Sequence, residues 1–327
     1  MMTLLLLIIL MPLPLFKVKN NFGLKNSLEE EIPTEAPTEI SEAKVIESAT
    51  TGGSSQLRIE CLGSITEDES KINGCWLTWG WLGENHHTEQ DIIRMVQILA
   101  DNDIRILAPR SIAFVSDGTP VQETWYYQTY EYYSNFVQVV KEVNSDIIIL
   151  AWISDMAQDS YFTPPYERIK LEDAEVRANV IDVCKEIVSY GLDGIAVDFE
   201  AIEDTEMEAY VTFVNQLKRE LPNKIICVTL GMWIDWIYEA SSKMNVDYVI
   251  PMLYGADGTT YESDEFITVA TKISESSNPK ILIGISYIGL ENAQKVDNGK
   301  IKGFFIFHYE KMQSLWPTWK TLWTEEK

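Results

Sequence analysis

Near the middle of the chain, Asp193-Gly194-Ile195-Ala196-Val197-Asp198-Phe199-Glu200 sets three carboxylates in a run whose other residues are small or apolar. Such a run reads as a buried strand, and a strand that buries its body has no structural use for acids at its tip. Side chains alternate along a strand, so Asp198 and Glu200 share one face, about 7 Å apart along the backbone at roughly 3.3 Å rise per residue. Two acids so placed can divide the labour of hydrolysis, one kept protonated as a proton donor and the other ionised. The competing reading is a solvated loop in which acids cluster because the whole chain is acidic.

The acids need a frame that holds them at one end of a strand. Apolar runs with strand character fall at 74–79, 104–108, 147–153, 194–199, 225–230, 248–253, 281–286 and 304–307. Amphipathic stretches with apolar residues at three- and four-residue spacing separate several of them, at 88–102, 130–143, 172–190 and 206–220. Strand and helix alternating eight times predict an α/β fold, the eight-stranded parallel TIM barrel. The octet is then the fourth strand, and its acids sit at the C-terminal mouth, where such barrels place their chemistry. The expected barrel domain, 71–327, has about 257 residues, close to the roughly 250 typical of the fold.

The octet resembles the active-site strand of glycoside hydrolase family 18, the chitinases and endo-N-acetylglucosaminidases, whose pattern is Asp-Gly-x-x-x-Asp-x-Glu with a further Asp usual at the fourth place. Asp193, Gly194, Asp198 and Glu200 match, and Ala196 departs from the commonest form. The resemblance implies that Glu200 protonates the glycosidic oxygen. It also implies that Asp198 orients the substrate's own N-acetyl group, which acts as nucleophile, an exception to the two-carboxylate scheme. Asp193 joins the catalytic set as the residue that holds the strand end. Without a carboxylate at 196, a like charge that would share a proton with Asp198 is missing, which alters the tuning of the pair.

Two further strand ends carry the resemblance. Met252-Leu253-Tyr254 is similar to the family's Met-x-Tyr, so Tyr254 is expected to donate its hydroxyl to the acetamido oxygen and Met252 to line the floor. Gly255 stands where the family has Asp or Asn. On the eighth strand Phe307 occupies the place of the tryptophan under the reacting sugar. Indole stacks on the apolar faces of sugar rings, and Trp79, Trp152 and Trp233 lie at or near strand ends, so these three are expected to meet substrate; core packing is the plainer use of a tryptophan.

Two other readings stay open. In a two-carboxylate retaining glycosidase Glu200 would be acid/base and Glu291, after the seventh strand, the nucleophile. A barrel that binds glycan or protein without turnover would use the same mouth. The formal charge of −24 and pI near 4.5 argue against nucleic acid or an anionic membrane surface as partner, since either would need a basic patch. A neutral glycan fits. No metal or organic cofactor is expected, because three histidines and four cysteines show no ligand spacing.

Residues 1–16 are almost wholly apolar from Leu4 to Phe16, broken by Pro12 and Pro14. That is short of the roughly 20 residues of a spanning helix, and reads as a signal peptide or a short hydrophobic anchor. Residues 17–70, rich in Glu, Thr, Ser and Pro, read as a disordered tether spacing the barrel from a membrane or cell surface. The protein is thus expected to be secreted or membrane-anchored outside the cell. A strand at 57–62 could dock on the barrel, and export would allow a Cys61–Cys75 bridge.

Overall fold

Apolar strands buried on both faces need a parallel sheet covered all round, and that is how the eight runs assemble. In the computed structural model β1 (Asn73–Leu77), β2 (Ile104–Phe114), β3 (Ile148–Asp155) and β4 (Gly194–Asp198) are followed by β5 (Ile225–Gly231), β6 (Tyr248–Met252), β7 (Lys280–Ser286) and β8 (Ile301–Phe307). They pair in chain order, all parallel, and β8 closes on β1. The structure describes residues 72–78, 80–82, 87–121, 130–158, 167–231, 236–254, 263–296 and 301–324. The leader at 1–16, the tether at 17–70, the strand at 57–62, Cys61, Trp79, Trp233 and Gly255 lie outside them.

The outer ring is α1 (Glu89–Asp101), α2 (Tyr130–Val143), α3 (Ala174–Ser189), α4 (Met207–Glu220), α5 (Ile237–Lys243), α6 (Ser263–Ser276) and α7 (Trp316–Thr324). Side chains start the helices where the backbone leaves N–H groups unpaired. Thr88 and Asp91 form a reciprocal capping box on α1, and the Asp173 side chain accepts from Glu175 N at 2.8 Å on α3. The alternation of strand and helix differs from expectation after β7, where a 3-10 turn, Leu290–Lys295, stands in place of a helix. About fourteen residues link β7 to β8, and Gly289, at φ 87°, turns the chain at once.

β2 is the other departure: it runs to Phe114, where the expected strand stops at Ala108. Pro109 cannot donate to a ladder, yet it pairs with Leu77, and the β2–β3 register shifts between Arg110 and Ile112. The strand bulges and continues, which carries Arg110 to the mouth.

Two apolar layers result. One fills the space between sheet and helices, and the other, inside the barrel, centres on Trp76, Trp152 and Phe305 with Ala196, Cys227 and Ile250. Trp76 lies between the other two aromatics, with ring centroids 4.9 Å from Trp152 and 4.5 Å from Phe305. Glycine makes this possible at Gly74, where a Cβ would stand 2.2 Å from the Phe305 ring; at Gly194 a Cβ would meet Ile225 O at 1.9 Å. Cys75, Cys184 and Cys227 are buried free thiols. Cys75 is fully enclosed within β1, and Cys61, its partner in the possible bridge, lies outside the described residues.

Candidate active site

β4 ends on Asp198, and the chain leaves the barrel with Phe199 turned into the outer core and Glu200 following. The acids thus fall where alternation puts them, and the solvated-loop reading fails because β4 is buried throughout. The segment after Glu200 is pinned: Arg168 Nη1 lies 2.7 Å from Glu203 Oε1 and 3.3 Å from Glu206 Oε2.

Burial, then the negative charges of Asp198 and Asp155, push the Glu200 carboxyl well above the usual range, with the Arg110 guanidinium acting the other way. Such a group holds its proton at pH values where an ordinary glutamate has lost it. Asp198, 3 % exposed, accepts a hydrogen bond at Oδ2 from Trp152 Nε1 at 2.8 Å. One carboxyl is thus kept protonated while its neighbour receives a donor suited to an anion. This is the division of labour that general acid catalysis requires.

Tyr254 follows β6 and is nearly buried. Burial and the charges of Asp198 and Glu200 push its phenol well up, so it remains an O–H donor, while its hydroxyl is hydrogen-bonded by the Trp76 side chain. Phe307 stacks parallel on it, at 5.6 Å between ring centroids and 10° between planes. Met252 closes β6 beside Gly284. Glu200, Asp198, Tyr254, Met252 and Phe307 are therefore all brought to strand ends at the mouth.

Asp193 is not. It precedes β4 at the opposite end of the barrel, about 16 Å from Asp198 at 3.3 Å per residue. There its Oδ2 accepts from Lys141 Nζ and from Ile149 N, both at 2.8 Å, while its carbonyl accepts from Ile225 N at 3.1 Å. It holds a strand end, as expected, but the bottom one, and its place among the catalytic residues is corrected. Trp152 is corrected too: at 4 % exposure it offers no sugar-stacking face, and its ring lies between Trp76 and the Arg110 guanidinium, whose Cζ is 5.1 Å from the ring centroid. Glu291 is exposed on the 3-10 turn, against α6 and α7, and is not among the charges that bear on Glu200. The pairing of Glu200 with Glu291 therefore has no geometry behind it.

Several residues of the site escape the sequence reading. Arg110 sits behind Pro109, which reads as a strand end. Asp155 closes β3, two residues beyond the expected strand. Tyr210 comes from α4 to the back of the site; burial, then Asp198, Asp155 and Glu200, push its phenol well up. Glu310 ties β8 to β1, its Oε1 accepting from Thr78 N at 3.1 Å and Trp81 Nε1 at 2.7 Å, and its Oε2 2.7 Å from His308 Nδ1. Against the upward push of burial, the hydrogen bonds from His308 and Trp81 hold Glu310 below the usual range. Among the described residues no group of His, Cys, Asp and Glu could hold a metal ion, and no helix is long and apolar enough to cross a membrane.

The family model for Glycosyl hydrolases family 18 matches residues 80–327. Among solved structures, the chain is similar to a chitinase from Bacteroides thetaiotaomicron, with TM-score 0.59 and 11% identity over 77% of this chain and 95% of that one. It is also similar to the spore cortex-lytic enzyme SleL of Bacillus megaterium QM B1551, with TM-score 0.54 and 16% identity over 77% and 74%. Against the Bacillus cereus SleL the TM-score is 0.50 and the identity 18%, over 66% of this chain and 50% of that chain, so the chain spans half the length of that enzyme. At these identities the likeness is one of fold. No curated protein sequence matches the chain.

Proposed function

The chain belongs to glycosyl hydrolases family 18, and from that premise we propose that its barrel cleaves a β-linked glycan containing N-acetylhexosamine, with retention of configuration. The observation that carries this is a pair of neighbouring carboxyls in unlike surroundings: Glu200 pushed up by burial and by Asp198, and Asp198 receiving the Trp152 N–H. In this reading Glu200 protonates the leaving oxygen and then, as a base, activates water. Asp198 orients the substrate's acetamido group and stabilises the positive charge it develops as it attacks the anomeric carbon. Tyr254 donates to the acetamido oxygen, and Met252 and Phe307 floor the subsite. The names of the similar structures, a chitinase and spore cortex-lytic enzymes, favour a chitin-like glycan as the substrate class, and peptidoglycan and N-glycan cores are the other candidates. Export through residues 1–16 and display on the tether 17–70 complete the proposal.

A panel of chromogenic glycosides and soluble oligosaccharides, with and without N-acetyl groups, tests it. Cleavage confined to the N-acetylated members supports the acetamido route, and equal cleavage of both kinds ends it. Binding without any turnover would favour the second reading, a glycan-binding barrel, for which the missing carboxyl at Ala196 speaks. The sign of the pH dependence follows from Glu200. The acid must be protonated to act, so kcat/KM falls as pH rises through its pKa, and because that pKa is raised the fall is expected well above the range of an ordinary glutamate. Initial rates across pH check this; an alkaline limb in the ordinary carboxylate range would remove Glu200 from the role.

A further inference from the structure

Asp198 stands above a gap in the acids. Ala196, two residues earlier on the same inward face, is fully buried, and in the β3–β4 register its partner is Trp152. Trp152 reaches from that level up to Asp198, placing Nε1 2.8 Å from Oδ2. Its ring is held on one side by Trp76, at 4.9 Å between centroids, and on another by Arg110, whose Cζ is 5.1 Å from the ring centroid. Side-chain volume is complementary here: the smallest chiral residue lies opposite the largest, in an interior that packs like a crystal.

A carboxyl at position 196 would steady Asp198 by sharing a proton with it. An indole N–H steadies the same oxygen without any titratable proton, since it donates and cannot accept. We infer that Trp152 is the positioning residue of this site: its N–H fixes Asp198, the task of the absent acid at 196 performed from the neighbouring strand. This rests on the reading of Asp198 as the group that orients the acetamido nucleophile. Trp152 and Ala196 then form one unit, and exchanging either alone breaks it.

The test uses the full chain and the best N-acetylated substrate. Trp152→Phe keeps an aromatic ring and removes the donor. A hydrogen bond to a charged group lost in this way lowers kcat by about 10- to 100-fold, while KM moves less than about threefold. Ala196→Asp in the Trp152→Phe background is expected to recover about tenfold of that loss, because the new acid has room and a carboxylate with which to share its proton. Ala196→Asp alone is expected to lower activity, because Trp152 fills the space. Thermal melting of every variant separates loss of fold from loss of turnover. If Trp152→Phe does not fold, Trp152→His, which retains a ring donor, is expected to fold and to keep measurable turnover; an inert but folded Trp152→His counts against the inference. An unchanged kcat in Trp152→Phe, or a folded double variant no faster than Trp152→Phe, overturns it while leaving the glycosidase reading intact. An inert wild type removes that reading and this inference together.

Discussion

Glu200→Gln is expected to fold and melt as the wild type does and to lose about 10² to 10⁴ in kcat, the usual contribution of general acid–base assistance. Glutamine keeps the shape and the ability to hydrogen-bond but has no acidic proton for the leaving oxygen. Taking away a carboxyl that burial and two neighbouring acids already hold in its neutral form costs the fold little, because the site never has to carry that charge when it is protonated. Steady-state kinetics with substrates of graded leaving-group ability check the assignment. In kcat/KM, which reports the step before water enters, the loss should be largest for poor leaving groups, which need protonation, and smallest for nitrophenolates, which do not. A uniform loss would point to altered binding, and full activity would place the acid elsewhere.

Asp193→Ala is expected to do the opposite: to lower stability by about 2–3 kcal/mol while leaving kcat within about twofold. Its carboxylate accepts charge-assisted hydrogen bonds from Lys141 of α2 and from Ile149 N of β3. Loss of hydrogen bonds to a charged group costs about this much each, and Lys141, 30 % exposed, recovers part of it by turning to water. In a barrel of this size that is a fall in melting temperature of roughly 5–10 °C. Calorimetry and kinetics on the same preparation check both halves. A collapse of kcat in a protein that still melts normally would return Asp193 to the chemistry.

Those two expectations, seven residues apart at the two ends of one strand, show what a sequence can yield about this fold. Periodicity made the barrel legible, because strands buried on both sides are continuous apolar runs and their order fixes which end is the mouth. It also made Asp198 and Glu200 legible as a pair. It did not separate Asp193 from them by end of barrel, since a motif read as a string of letters hides the length of the strand it spans. Arg110 was hidden by Pro109, because whether a proline ends a strand or bulges it depends on the neighbouring strands. Trp152 was misjudged for a different reason: indole serves equally as a sugar platform and as a buried donor, and only burial and a partner oxygen decide.

The three buried thiols give this barrel its own set of clocks. Cys75 faces Ile306 across the seam where β1 closes on β8, Cys184 lies in α3 in the outer layer, and Cys227 is on the axis. Burial pushes each of them up, so none reacts with an alkylating agent until its surroundings part. The order in which they become modified is therefore the order in which seam, shell and axis breathe, and no label has to be introduced to read it.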